Sequence, residues 1–225
     1  MAFLNFGYYI VEPTPKPDYI SLQCDKIISA SGCICDFHPL IDGSFWLNHD
    51  EKQLEYMSKL KISEDAFNTL KNTVSDLIDK NKLDYNGRFA DYVDAAEFYA
   101  EYLSNLNGLK IIAIALEGEF KDILRDEIGD SSNILPEFEL QQTIGELIGF
   151  EILGWDFGSF HSYLCNSFDK DISEAYNLMV NDFGIIQNSY AEVKKFAEFL
   201  EDKNGEPVVW LPFAVFECPI KGLQI

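Results

Sequence analysis

The sequence predicts an α+β fold, a mainly antiparallel sheet packed against about five helices. Three observations lead there. Segments with strand character come in blocks separated by helical blocks, not in the one-for-one alternation of a doubly wound fold. Of the 225 residues, 47% are hydrophobic, 14% aromatic and 24% charged, which is too apolar and aromatic for disorder. A chain of this length also buries a substantial core without help from metals or disulfides. We read one α+β domain over residues 1–225, with a candidate subdivision in the polar, turn-rich stretch 129–136 (GDSSNILP).

The elements follow in order. Phe3, Leu4, Phe6, Tyr8, Tyr9, Ile10 and Val11 open the chain as an aromatic strand, and Pro13, Pro15 and Pro17 break it. A second extended zone covers 19–22. Residues 33–37 and 44–47 read as further short strands, separated by Pro39 and Gly43. Helical spacing then takes over. Ser63 is an N-cap ahead of Glu64 and Asp65, and Phe67, Leu70, Val74, Leu77 and Ile78 recur on one face. A second helix is expected over 87–103. The apolar run 110–116 (KIIAIAL) has the brevity and Ile content of a buried strand. A short helix over 119–128 ends at Gly129. Residues 147–155 read as a strand weakened by Gly149 and Gly154, with 160–165 as its hairpin partner. Helices over 172–182 and 190–203 follow, the latter with Ser189 as N-cap and Gly205 beyond its end. A last apolar strand covers 208–218, interrupted by Pro212. No internal repeat is evident.

Charge narrows the function. Lys and Arg total 17 against 38 Asp and Glu, a net charge of −21. Such a chain repels phosphate backbones and anionic membrane surfaces, and its basic residues form only short pairs such as Lys59/Lys61 and Lys194/Lys195. The two arginines, Arg88 and Arg125, are few for a nucleotide-handling protein. No apolar run approaches the roughly 20 residues of a membrane helix. The opening residues do not read as a secretory signal. Together with the odd set Cys24, Cys33, Cys35, Cys165 and Cys218, this predicts reduced thiols in a cytoplasmic setting.

Three residue groups carry candidate chemistry. Cys24, Cys33, Cys35 and His38 are all zinc-ligand types, but their spacing lacks paired C-x2-C arms, and small core cysteines are the alternative. Asp156, His161 and Cys165 in GWDFGSFHSYLC are the residue types of a cysteine nucleophile, its base and an orienting carboxylate. On one strand, however, His161 and Cys165 would stand about 13 Å apart. The third group is on the 87–103 helix. Phe89, Tyr92, Val93, Ala96, Tyr99, Ala100 and Leu103 form its expected core stripe. Asp91, Asp94, Glu97, Phe98, Glu101 and Tyr102 occupy the other side, where like charges at i,i+3 and i,i+4 each cost roughly 0.2–0.5 kcal/mol. Uncompensated acids beside aromatics suit a basic protein partner; alternatively Phe98 and Tyr102 pack under a second layer.

The leading expectation is therefore an acidic protein-binding inhibitor that neutralises a basic partner such as a nuclease toxin. This is the electrostatic manner of bacterial immunity proteins, an analogy in charge and size. It expects no cofactor and no catalysis. The alternatives are a cysteine- or histidine-dependent hydrolase or transferase using 154–165, and a structural subunit whose acids maintain solubility. No phosphate-binding glycine loop, dinucleotide fingerprint, H-E-x-x-H or EF-hand loop is present.

Overall fold

Strands β1 (Phe3–Val11), β4 (Lys110–Glu117), β5 (Glu146–Asp156), β6 (Ser159–Ser162) and β7 (Leu211–Cys218) form one sheet in the order β1-β4-β7-β5-β6. Every neighbouring pair is antiparallel. β2 (Thr14–Pro15) and β3 (Lys26–Ile27) pair separately. The computed structural model describes residues 3–34, 50–129, 132, 145–156, 158–203 and 207–220. Six α-helices lie among them: α1 (Asp50–Leu60), α2 (Glu64–Asp79), α3 (Tyr92–Phe98), α4 (Lys121–Ile128), α5 (Phe168–Ala175) and α6 (Tyr190–Glu201). The fold is thus α+β with an antiparallel sheet, as the sequence predicts.

Alternation along the strands sorts the core onto two faces. Ile111 and Ala113 of β4 join Tyr8, Ile10 and the helices α1 to α3. On the same side, Phe150, Ile152 and Ala214 pack with α5 and α6. Ile112, Ile114 and Leu116 point the other way, toward Phe213, Val215, Ile28, Ala30 and Leu124 of α4. Covering both faces explains why 110–116 is apolar without alternation. Strands from both sides of 129–136 share this sheet.

The structure contains an internal repeat that the sequence hides. β1, α3 and β4 correspond to β5, α6 and β7, related by a pseudo-twofold axis at the Ile114–Val215 pair of the central strands. β1 and β5 each shift register at a left-handed glycine, Gly7 (φ 151°) and Gly149 (φ 133°). Each bulge admits a turn. Tyr8 exchanges 2.9 Å backbone hydrogen bonds with Phe89, and Phe150 does the same with Ile186. Within the turns, Asp84 Oδ1 accepts from the amides of Asn86 and Arg88, and Asn181 Oδ1 accepts from those of Phe183 and Ile185. A Cβ at Gly149 would run into the Ile186 carbonyl, so this glycine does not weaken the strand but admits the turn.

These turns correct two helix boundaries. Residues 84–90 are not helical, because the Asp84 side chain takes the amides a helix would use, and α3 starts at Tyr92. Likewise 179–187 forms the Asn181 turn, so α5 spans Phe168–Ala175 instead of reaching 182. The expected extended zone 19–22 is not a strand. α1 is an element the sequence reading did not anticipate. Of the expected strand 33–37, residues 33 and 34 lie in a turn, and the rest of it, with the expected strand 44–47, lies outside the described residues.

Candidate functional site

The acidic helix comes first. Asp91 is its N-cap, accepting from the Val93 amide at 2.6 Å. Asp94 pairs with Lys82 at 2.7 Å. The hydrogen bond that Lys82 donates to Asp94, then the charge of Asp94, with smaller contributions from Glu97 and Asp91, raise the Lys82 ammonium above its ordinary value. The π-helical turn Tyr99–Leu103 follows α3. Relative to α6 it holds one extra residue: Phe98 and Phe196 lie equally far from their caps, yet Leu103 lies one position later than Leu200. Both leucines are buried.

This geometry corrects the expected stripe. Ala95, Phe98 and Leu103 face the core, whereas Val93 and Ala100 are exposed. Phe98 lies against Phe89 and Tyr102, with ring centroids 5.6 and 5.1 Å away, and the Tyr102 hydroxyl shares a 2.8 Å hydrogen bond with Thr73 of α2. The two aromatics therefore pack under the second layer. Asp91, Val93, Glu97 and Glu101 remain exposed.

The second group forms around Cys165. β6 ends at Ser162, and residues 163–167 turn back instead of extending the strand. The Cys165 amide donates to Ser162 O at 2.9 Å, while the Ser162 amide donates to Cys165 Sγ at 3.3 Å. The 13 Å separation expected for a continuous strand is thereby lost. A ring nitrogen of His161 and the sulfurs of Cys165 and Cys33 lie within 4.8 Å of one another. Ser31 ties the group together, with its Oγ 3.7 Å from Cys165 Sγ and accepting from the Cys33 amide at 3.3 Å. Asp156 stands opposite Ser159, two residues from His161 on the same hairpin face. A hydrogen bond with Cys33, followed by burial, pushes the Cys165 thiol above its ordinary value, the reverse of an activated nucleophile.

Of the expected zinc set, Cys33 alone joins this group among the described residues. Cys24 lines an open groove of about 870 Å³ with Lys16, Ser21, Asp25 and Asp182. Cys35 and His38 lie outside the described residues. Among the described residues, Cys24, Cys33, Cys165 and Cys218 form no disulfide.

Sequence reasoning missed a buried carboxylate beside this group. Glu151 is 2% exposed in the middle of β5. It accepts hydrogen bonds from Ser29 Oγ, from the Ala30 amide at 3.2 Å and from Ser162 Oγ at 2.9 Å. Burial outweighs these donors and pushes its carboxyl up to about 7. The available signal was a single acid between Phe150 and Ile152 in an apolar strand. The other paired carboxylates have partners: Lys194 bridges Glu117 and Glu119, Asp169 Oδ2 accepts from Ser21, and Lys203 reaches Asp171.

Comparison with protein-family models, curated proteins and solved structures finds no match to this chain. Among the described residues no helix is long and apolar enough to cross a membrane.

Proposed function

We propose that this chain is an acidic binding protein, an immunity-type inhibitor in class, that docks a basic protein partner through the exposed face of α3. One observation carries the reading. Asp91, Asp94, Glu97 and Glu101 stand on one short helical segment, Lys82 is the ammonium drawn to three of them, and Val93 is 46% exposed in their midst. Supporting it, the net charge of −21 gives the long-range attraction that accelerates capture of a cationic protein. A nuclease toxin is a fitting partner, because an enzyme that grips nucleic acid presents basic groups. The anchor on this face is Val93, with Phe98 and Tyr102 supporting the helix from beneath. Thiols not joined in disulfides accord with a reducing, cytoplasmic setting.

The test uses Glu97→Lys/Glu101→Lys, which spares the Asp91 cap and the Asp94–Lys82 pair. Capture of a basic partner at low salt should weaken, and the salt dependence of what remains should flatten. Equal affinity and equal salt dependence would remove this face from the interface. The second reading is a cysteine- or histidine-dependent enzyme, favoured by the proximity of His161 to Cys165. A thiol-reactive probe separates the two. Reaction of Cys165 near neutral pH faster than an ordinary thiol would favour the enzyme, and slower reaction would favour the binding protein.

A further inference from the structure

The convergence of three metal-ligand side chains from two distant segments of the chain has a use apart from α3. We propose that Cys33, His161 and Cys165 bind a borderline-soft divalent cation, Zn2+ by chemistry, with two thiolates, one imidazole and a fourth position open to water. Cys33 comes from the loop after β3, His161 from β6, and Cys165 from the turn that folds back on β6. Their ligand atoms already lie within 4.8 Å of one another. Tetrahedral zinc, with Zn–S about 2.3 Å and Zn–N about 2.0 Å, needs ligand atoms roughly 3.5 to 3.8 Å apart. Closing the group requires movements of about 1 Å.

Two polar groups already face the Cys165 sulfur, and a bound cation would supply the charge that offsets the burial of its thiolate. The Ser162 amide donates to Cys165 Sγ at 3.3 Å, and the Ser31 hydroxyl lies 3.7 Å from the same sulfur. Ser31 also accepts the Cys33 amide, so one side chain orients both sulfur ligands. Cys33 is exposed and the other two are half-buried, which gives the ion a path from solvent. On binding, two thiols release their protons to solvent, and the two thiolates neutralise the cation. Neutral imidazole completes the set. Two sulfurs and one nitrogen favour zinc over magnesium or calcium, which take oxygen ligands.

The experiment titrates the full, reduced chain with Co2+ and then displaces the cobalt with Zn2+. Expected are the visible bands of tetrahedral cobalt and a thiolate-to-cobalt charge-transfer band, complete at one equivalent. Cys33→Ser, His161→Ala and Cys165→Ser should each lose the charge-transfer intensity or the tetrahedral bands, while Cys24→Ser keeps both. Ser31→Ala should weaken binding about tenfold. Circular dichroism checks each fold. Should Cys165→Ser fail to fold, the exposed position of Cys33 keeps Cys33→Ser decisive. Absence of the bands in the unaltered chain would overturn the site, as would bands that survive Cys33→Ser. A Cys33–Cys165 disulfide forming in air, with no cobalt bands after re-reduction, would reassign the pair to redox chemistry and equally overturn it. None of these results bears on the α3 face.

Discussion

Replacing Glu151 by Gln should change how stability depends on pH. In the folded protein, burial pushes this carboxyl up to about 7, against an ordinary 4.5 in an exposed chain. Between those values the folded state holds a proton that the unfolded chain has released. Stability is therefore fullest below the unfolded value, falls as pH rises toward the folded value, and is flat above it. At about 1.4 kcal/mol per pH unit, the interval amounts to roughly 3 kcal/mol. Glu151→Gln keeps the size and polar reach toward Ser29, Ala30 and Ser162 but removes the titration. Urea unfolding of both proteins at about pH 5 and about pH 8 reads the effect. The variant should gain on the original by up to roughly 3 kcal/mol at the higher pH relative to the lower. Parallel pH profiles would refute the reasoning and mean that the three donors offset burial in full.

Further predictions follow from the repeat. Arg88 and Asp84 are each 1% exposed and joined at 2.8 Å, and Arg88 also donates to Phe6 O. Arg88→Ile alone leaves a buried charge unpaired and should cost about 3–5 kcal/mol. Asp84→Asn/Arg88→Ile copies the Asn181 and Ile185 of the second turn and should recover most of that loss; equal destabilisation in urea melts would contradict the equivalence of the two turns. Gly149→Ala should destabilise by about 1–3 kcal/mol from backbone strain alone, with more from the contact at Ile186. A melting temperature unchanged by this substitution would show that the bulge relaxes easily.

The fold class was legible because periodicity and capping are local. Ser63, Ser189, the KIIAIAL strand and the Gly129 stop all act within a few residues of the element they define. The failures share a cause: a side chain or one inserted residue overrode local pattern. Asp84 and Asn181 draw backbone amides into turns where helical spacing suggested helix. The π-turn at Tyr99–Leu103 rotates the buried face, so a stripe counted at a constant angle mistakes Phe98 for surface. The repeat went unseen because what it preserves is backbone geometry at Gly7 and Gly149 and an oxygen acceptor at Asp84 and Asn181, with few identities between them. Around Cys165, the residue types were visible in the sequence but their meeting was not. It depends on a turn closing within four residues and on Cys33, more than a hundred positions away.

The most direct test of the docking account is the association rate of the immobilised chain with a captured basic protein, measured across ionic strength for the original and for Glu97→Lys/Glu101→Lys. The account predicts a rate that falls steeply with salt in the original and drops about tenfold or more on charge reversal at low salt. A rate indifferent to both salt and charge reversal would contradict it.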